Sequence, residues 1–263
     1  MPTSPAVQDA SASKVQVIDR ATEVLTVLSH HPDGLTLTEL TEKTGLHKAT
    51  ALRFLKSLEQ NGLTEKVGAG KHWGLGPALF DMASRAGRRA DLREVARPIM
   101  QDISDRLGHT VQLAILGGQE IVYVEKVEPP DLPLKINTQV GSRRPVHCTA
   151  LGKAICAELD WTVVAAILSA QGMPVHTAQT ITQPEAFRRE LENVRQAGHA
   201  IDDREYNALV FCVAAAVRDA RSVIAGLSIS VPGLSGEVAD QDAIVAAVKA
   251  GARQISERLG GHR

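Results

Sequence analysis

Residues 35–66 read LTLTELTEKTGLHKATALRFLKSLEQNGLTEK, and this stretch predicts a helix-turn-helix. In its second half, apolar residues follow the spacing i, i+3, i+4, i+7, which places them on one buried stripe of a helix. They are Ala51, Phe54, Leu55 and Leu58. The opposite face mixes small, apolar and cationic side chains, namely Lys48, Ala49, Leu52, Arg53 and Lys56. Such a face suits the major groove of DNA, so we expect a recognition helix here.

The flanking segments complete a winged helix-turn-helix domain. A first amphipathic helix is predicted from Val17 to about His30, with Val17, Ile18, Ala21, Val24, Leu25 and Leu28 buried. Thr36 and Glu39 are spaced as a capping box, and Gly45 supplies the turn before the recognition helix. Two short extended runs around residues 68–71 indicate a wing close to a phosphate backbone. The predicted DNA-contacting residues are His47, Lys48, Ala49, Thr50, Leu52, Arg53, Lys56, Lys71 and His72. The alternative is a winged fold used only for protein contacts.

Composition describes an ordinary two-domain protein of 263 residues, 44% hydrophobic and 22% charged. Three cysteines are too few for a disulfide framework or a zinc ribbon. No apolar run approaches the roughly 20 residues of a membrane span, and no secretory segment is present, so we expect a cytoplasmic protein without a membrane partner. Residues 14–89 hold 11 Lys/Arg and 8 Asp/Glu, whereas residues 90–263 hold 18 and 21. A basic N-terminal part is typical of a DNA-binding module.

The pattern predicts an α+β two-domain chain. Residues 1–13 are expected to be a disordered tail, 14–76 the winged domain, 77–90 a linker helix and 91–263 a sensor-like domain. The linker helix carries an apolar stripe of Leu79, Met82, Ala83 and Ala86, which suggests pairing with a second copy. In the C-terminal domain we expect helices at 91–107, 150–159, 161–170, 184–197 and 240–259, and extended runs at 111–116, 121–125, 134–139, 211–217 and 224–231. Thr182 and Glu185 are spaced as a second capping box.

Three segments resemble the IclR family of bacterial transcriptional regulators. They are TGLHKATALRFLKSLEQNGL, VGSRRPVHCTALGKAICAEL and the signature residues Gly198, Asp202, Glu205 and Cys212. The resemblance implies a C-terminal GAF-like α/β effector-binding domain. By position, it implies pocket residues Thr149, Ala150, Leu151, Asp202, Val210, Cys212, Ser228 and Ser230. The chain departs from the family pattern at His47 and Leu52 in the recognition helix and at Ala216 and Arg218 after the signature.

The residues themselves support part of this pocket. Ser228 and Ser230 alternate in a predicted strand, so their hydroxyls share a face. Residues 149–151 begin a predicted helix, where free backbone amides favour an anion such as a carboxylate. Alternatively, the serines face solvent and Thr149 only caps the helix. Cys212 lies in an apolar strand, where a core thiol and a ligand contact are equally consistent with the pattern.

An enzyme with an appended winged helix is the rival interpretation, and an interaction module without ligand is a second. His147 and Cys148 are adjacent, and adjacent strand residues point apart, which argues against a thiolate–imidazole pair. The acidic residues Asp202, Asp203 and Glu205 are more typical of an ion-paired loop than of a metal or acid–base site. We expect no catalytic residues, no metal site and no cofactor. The predicted protein is a homodimer or dimer of dimers that binds a palindromic double-stranded DNA operator and senses a small organic acid.

Overall fold

The computed structural model describes residues 16–68, 70–85, 88–130, 138–232 and 240–261. The chain divides between residues 87 and 88 into two compact units. Within the described ranges, no helix has the length and apolar character that a membrane crossing requires.

The N-terminal unit is a winged helix-turn-helix. Its elements are α1 (Gln16–Ser29), α2 (Leu37–Thr44), α3 (Lys48–Gln60), β1 (Thr64–Val67), β2 (His72–Leu75) and α4 (Pro77–Arg85). The predicted capping box starts α2: Thr36 N donates to Glu39 Oε2 at 2.8 Å, and Glu39 N donates to Thr36 Oγ1 at 3.3 Å. Gly45 ends α2 in the left-handed region, with φ 66°. The antiparallel pair β1–β2 forms the wing, and Leu35 bridges to Trp73 beside it.

The hydrophobic core of this unit differs from the prediction at the first turn of α1. Val24 and Leu28 are fully buried, but Val17 and Ile18 are each 62% exposed, so their predicted burial is wrong. The core begins at Ala21, because nothing in the described unit covers the turn of α1 that precedes it. On α3, Ala51, Leu55 and Leu58 are buried as predicted, and Trp73 on the wing is also buried.

The C-terminal unit is built on a six-stranded antiparallel sheet in the order β5-β4-β3-β8-β7-β6. Its strands are β3 (Thr110–Gly117), β4 (Glu120–Val127), β5 (Arg143–Pro145), β6 (Ala200–Asp203), β7 (Val210–Arg218) and β8 (Val223–Pro232). Its helices are α5 (Arg88–Leu107), α6 (Ala150–Cys156), α7 (Trp161–Gln171), α8 (Pro184–Ala197) and α9 (Gln241–Arg258). The predicted α+β class is confirmed, and β3 and β4 pair as an antiparallel hairpin around Gly118.

Helices cover both faces of the sheet. Residues of α5 and α9 pack on one face around Leu113, Val213 and Leu227. Residues of α6, α7 and α8 pack on the other face around Ala114 and Ala214. Side chains alternate along a strand, so the neighbours of Leu113, Val213 and Leu227 in their strands point to the opposite face of the sheet. That face is covered by α6. Ser228 and Ser230 lie on it, on the opposite side of the sheet from Leu227 and Ile229.

Several boundaries depart from the predictions. The short strands β5 and β6 were not predicted, because three or four residues give no clear alternation. Helix α6 ends at Cys156, before the predicted end at residue 159. The second capping box is wrong: Gln183 caps α8 and makes no side-chain capping bond, while Pro184 starts the helix. Most of the predicted run 134–139, and Ala86 of the linker stripe, lie outside the described residues, as does the side chain of Ala83.

Candidate functional sites

The outer face of α3 is the candidate DNA-contacting surface. His47 caps the helix with its backbone, and Lys48, Ala49, Arg53 and Lys56 are exposed. Thr50 is half-buried, and Leu52 packs partly against the domain core. A shallow depression of about 400 Å³ runs along this face, lined by Ala49, Leu52, Arg53, Lys56, Ser57 and Gln60. Arg53 and Lys56 therefore border a depression whose other lining residues are uncharged, and Lys48 adds a third exposed cation at the start of the helix.

The wing contributes further basic residues to this unit. Lys71 is exposed at the tip, and His72 is half-buried at the start of β2. Lys66 stands 3.9 Å over the ring of Trp73, so its stem is held against the wing by a cation–π contact.

The C-terminal unit contains a cavity of about 250 Å³ between the sheet and the start of α6. All eight residues that the sequence singled out for an effector pocket line it: Thr149, Ala150, Leu151, Asp202, Val210, Cys212, Ser228 and Ser230. Ser228 and Ser230 are buried rather than solvent-facing. Thr149 does cap α6, since its Oγ1 accepts from Gly152 N at 3.2 Å and donates to the Pro145 carbonyl at 2.9 Å.

The register of the strands brings together cavity-lining residues that are far apart in the sequence. Asp202 pairs with Cys212, and Cys212 pairs with Ser230, so one row crosses β6, β7 and β8. In the next row, Ser228 pairs with Gln112 of β3. Cys212 Sγ lies 3.1 Å from Ser230 Oγ, and that hydroxyl donates to Gln112 Oε1 at 3.1 Å. The hydroxyl of Ser228 is buried with no hydrogen-bond partner among the described atoms, which leaves it available to a ligand.

Six lining residues were not predicted from the sequence: Gln112, Tyr123, Thr138, Arg144, Tyr206 and Asn207. A glutamine in the apolar run VQLAILG was a usable signal, because an unpaired polar side chain inside a buried strand is costly. Arg144 was less accessible to prediction, since an arginine pair in a loop is ordinarily solvated. Its side chain is half-buried, and its Nε has no hydrogen-bond partner within the described structure.

Two ionisable groups set the electrostatics of the cavity. Among the described residues that line it, Arg144 is the only Lys or Arg, and its guanidinium lies 5.2 Å from the centre of the Tyr206 ring. Burial raises the pKa of Asp202 to about 7, although the backbone amides of Glu205 and Tyr206 donate to its Oδ1 at 2.7 and 3.4 Å and oppose that rise. Near neutral pH, the Asp202 carboxyl can therefore be present in its uncharged form.

Comparison with known proteins explains why the two sites occur in one chain. The family described as "IclR helix-turn-helix domain" matches residues 17–68, and "Bacterial transcriptional regulator IclR C-terminal" matches residues 85–257. This chain belongs to the IclR family of transcriptional regulators. It is a DNA-binding transcriptional regulator with a C-terminal effector domain.

Relatives of this IclR-family regulator match it over most of their length. The HTH-type transcriptional regulator Rv1719 of Mycobacterium tuberculosis is 36% identical over 86% of this chain and 85% of its own. The transcriptional repressor IclR of Escherichia coli is 29% identical over 87% and 84%. A solved structure of an IclR homologue from Microbacterium hydrocarbonoxydans, complexed with 4-hydroxybenzoate, superposes with a TM-score of 0.79 at 27% identity, covering 92% of this chain and 98% of that one.

A buried ionic cluster supports the cavity of the regulator. Lys153 of α6 is 1% exposed, and its Nζ donates to Glu205 Oε1 at 2.5 Å and to Glu190 Oε1 of α8 at 3.2 Å. Burial raises the pKa of Glu205, and the adjacent Lys153 opposes that rise. Because Glu205 N also binds Asp202, this cluster connects α6 and α8 to the cavity wall.

The sequence-based argument about His147 and Cys148 was wrong. Both residues lie in a turn rather than in a strand, so their side chains need not point apart. One ligating atom of each, and one of His176, lie within 4.8 Å of one another. Burial raises the pKa of the Cys148 thiol to about 12, with a further rise from Asp202 and Glu205, so the thiolate is scarce at neutral pH.

Proposed function

We propose that the regulator senses a small organic acid in its C-terminal cavity, and that occupancy changes its affinity for operator DNA. The observation that carries this proposal is the enclosure of Arg144 with the unpartnered hydroxyl of Ser228 in one cavity. A guanidinium and a free hydroxyl are complementary to a carboxylate, and charge-assisted hydrogen bonds are stronger than neutral ones. The 4-hydroxybenzoate of the Microbacterium homologue is a ligand of this chemical class.

The rest of the cavity suits the body of such a ligand. Leu151, Val210 and Tyr123 contribute apolar surface, whereas Asp202 and Asn207 can bind a hydroxyl group. A volume of about 250 Å³ favours a small metabolite over a nucleotide or a peptide.

This proposal is tested by a mobility-shift assay on the DNA upstream of the protein's own reading frame, repeated with small organic acids and with the amide of each acid. An acid should change the affinity for DNA at concentrations where its amide, which lacks the charge, does not. If amides act as well as acids, or only larger ligands act, the cavity does not recognise a carboxylate.

We propose that α3 reads the operator through Arg53 and positions the domain through Lys56. Arg53→Ala should cost about 1–3 kcal/mol and relax base specificity, because a guanidinium can bind a guanine edge with two hydrogen bonds. Lys56→Ala should weaken binding to all sequences alike and reduce the dependence on salt, as expected for a phosphate contact. The measurement is a salt series of fluorescence-anisotropy titrations on operator and scrambled DNA. Lys43→Ala, on α2, is the control, and equal behaviour of the Arg53 and Lys56 variants would contradict these roles.

We propose a homodimer, or a dimer of dimers, on a palindromic operator. One recognition helix contacts only a few base pairs, so a second module is needed for specific affinity. The N-terminal unit exposes large apolar side chains on two helices: Val17 and Ile18 on α1 (62% each), and Phe80 (76%) and Met82 (59%) on α4. Leu79 is half-buried. Exposed apolar surface of this kind favours a protein–protein interface.

Sedimentation of the full chain should therefore show a dimer or tetramer at micromolar concentration. Phe80→Glu should shift the equilibrium toward smaller species, because a carboxylate is costly to bury in an apolar interface. Val175→Glu is the control, since Val175 is also exposed (71%) but lies in the C-terminal unit. A wild-type monomer that binds a half-site tightly would refute the symmetric mode of binding.

We also propose that the cavity binds its ligand without catalysis. Cys212 is the thiol that lines the cavity, and burial raises its pKa, whereas a thiolate rather than a thiol attacks a substrate. Assays on simple esters and amides should show no turnover.

A further inference from the structure

A second group of side chains lies beside the effector cavity. His147 and Cys148, in the turn before α6, meet His176 from the loop after α7. The three ligating atoms lie within 4.8 Å of one another. Around a tetrahedral zinc ion, bond lengths of about 2.0–2.3 Å place nitrogen and sulfur ligands about 3.4–3.6 Å apart. The longest separation must therefore shorten by up to about 1.4 Å to enclose an ion of this size.

We propose that His147, Cys148 and His176 form a binding site for a transition metal ion of the Zn²⁺ class. Imidazole and thiolate are the ligands that such ions prefer over Mg²⁺ or Ca²⁺. The proposal goes beyond the sensing of an organic acid and does not depend on it. The sequence alone predicts no metal site, because two of the ligands are 28 or more residues from the third.

The hydrogen bonding of His147 leaves one of its ring nitrogens able to coordinate a metal ion. Its Nε2 lies 3.1 Å from the Pro174 carbonyl, which can only accept, so Nε2 carries the proton. The lone pair is then on Nδ1, which is buried and has no partner among the described atoms. His147 itself is 0% exposed, and a buried nitrogen without a partner is costly. A second ring nitrogen bound to a backbone carbonyl is also the arrangement that orients metal-binding histidines.

Hydrogen bonds hold the loop that carries His176 against residues 204 and 205. His176 N donates to Thr180 Oγ1 at 3.0 Å, and that hydroxyl donates to the Glu205 carbonyl at 2.7 Å. Thr177 Oγ1 donates to the Arg204 carbonyl at 2.7 Å. The backbone is thus held, while the His176 side chain is exposed and can rotate toward its partners. Its ring is 4.8 Å from that of Tyr206, which lines the effector cavity.

Coordination by Cys148 exchanges the proton of its thiol for the metal ion. On binding, a metal–sulfur bond forms, the S–H bond breaks and one proton leaves to solvent, while both imidazoles stay neutral. Three protein ligands leave the fourth tetrahedral position for water.

The test uses the full chain, stripped of metal with a chelator and titrated with Co²⁺, whose thiolate complexes absorb in the near ultraviolet. We expect one equivalent to bind, with a sulfur-to-cobalt charge-transfer band and the strong visible bands of four-coordinate cobalt, and both should disappear on addition of Zn²⁺. Cys148→Ala should abolish the charge-transfer band. His176→Gln, at an exposed position that should not affect folding, should weaken Co²⁺ and Zn²⁺ binding at least about tenfold.

Matched controls separate this site from other ligands. Cys156→Ala removes a thiol that is equally buried, on α6, and His30→Gln removes an exposed histidine of the N-terminal unit. Both variants should bind Co²⁺ as the wild type does, with unchanged circular dichroism. A charge-transfer band that persists in Cys148→Ala, wild-type affinity in His176→Gln, or binding of less than one equivalent would each overturn the proposal.

Discussion

Replacing Lys153 with methionine should lower the free energy of unfolding of the C-terminal unit by about 3–5 kcal/mol. Methionine retains most of the side-chain volume but removes the ammonium group that binds Glu205 at 2.5 Å and Glu190 at 3.2 Å. Glu205 is buried, so its carboxylate would be left without a compensating charge. Adding Glu205→Gln should restore part of the loss, because the second change removes the stranded charge and the two sites are directly coupled.

The measurement is urea unfolding followed by the fluorescence of Trp161, which is half-buried in the C-terminal unit, in a Trp73→Phe background. The chain has two tryptophans, so this background reports only on that unit. Arg106→Ala is the control: its ion pair with Asp102, at 3.0 Å, is exposed, and its loss should cost at most about 1 kcal/mol. A similarly small loss for Lys153→Met would show that the buried cluster is not important for stability.

Replacing Arg144 with methionine should weaken binding of an acidic effector by about 2–4 kcal/mol, or about 30-fold to 1000-fold in Kd. Arg144 supplies the guanidinium of the cavity, and its removal leaves a bound carboxylate with no opposite charge inside a partly desolvated site. The affinity for DNA without effector should not change, because Arg144 belongs to the C-terminal unit.

Titration calorimetry with an acid that alters the mobility shift provides the measurement. Arg143→Met is a matched control, since the neighbouring arginine is exposed and bonds to the Gly117 carbonyl at 2.9 Å instead of lining the cavity. Its affinity should remain that of the wild type. Equal losses in the two variants would indicate a general effect of positive charge and would remove Arg144 from the proposed carboxylate site.

Many of the helices, strands and turns follow from interactions between residues that are close in the sequence. The capping box of Thr36 and Glu39, the left-handed Gly45 and the apolar spacing on α3 are each set by neighbours within one or two helical turns. The hairpin of β3 and β4 depends on a short glycine turn in the same way. Local spacing also indicated that Ser228 and Ser230 share a face, and the resemblance to a family placed six other residues around one cavity.

The remaining features depend on contacts between segments that are distant in the chain. Val17 and Ile18 have the helical spacing of core residues, yet burial requires a partner surface, and the core of the unit does not extend to them. A local rule also failed for His147 and Cys148, because alternation applies only to strands and these residues occupy a turn. Arg144 reaches the cavity because β5 pairs with β4, and His176 reaches Cys148 because its loop is tied to the Arg204–Glu205 carbonyls. Sequence alone therefore determined most of the longer helices and strands and the polar face of several of them, since both depend on near neighbours. Only tertiary packing decided which ionisable groups meet, because those distances are set by register and loop closure across 25 or more residues.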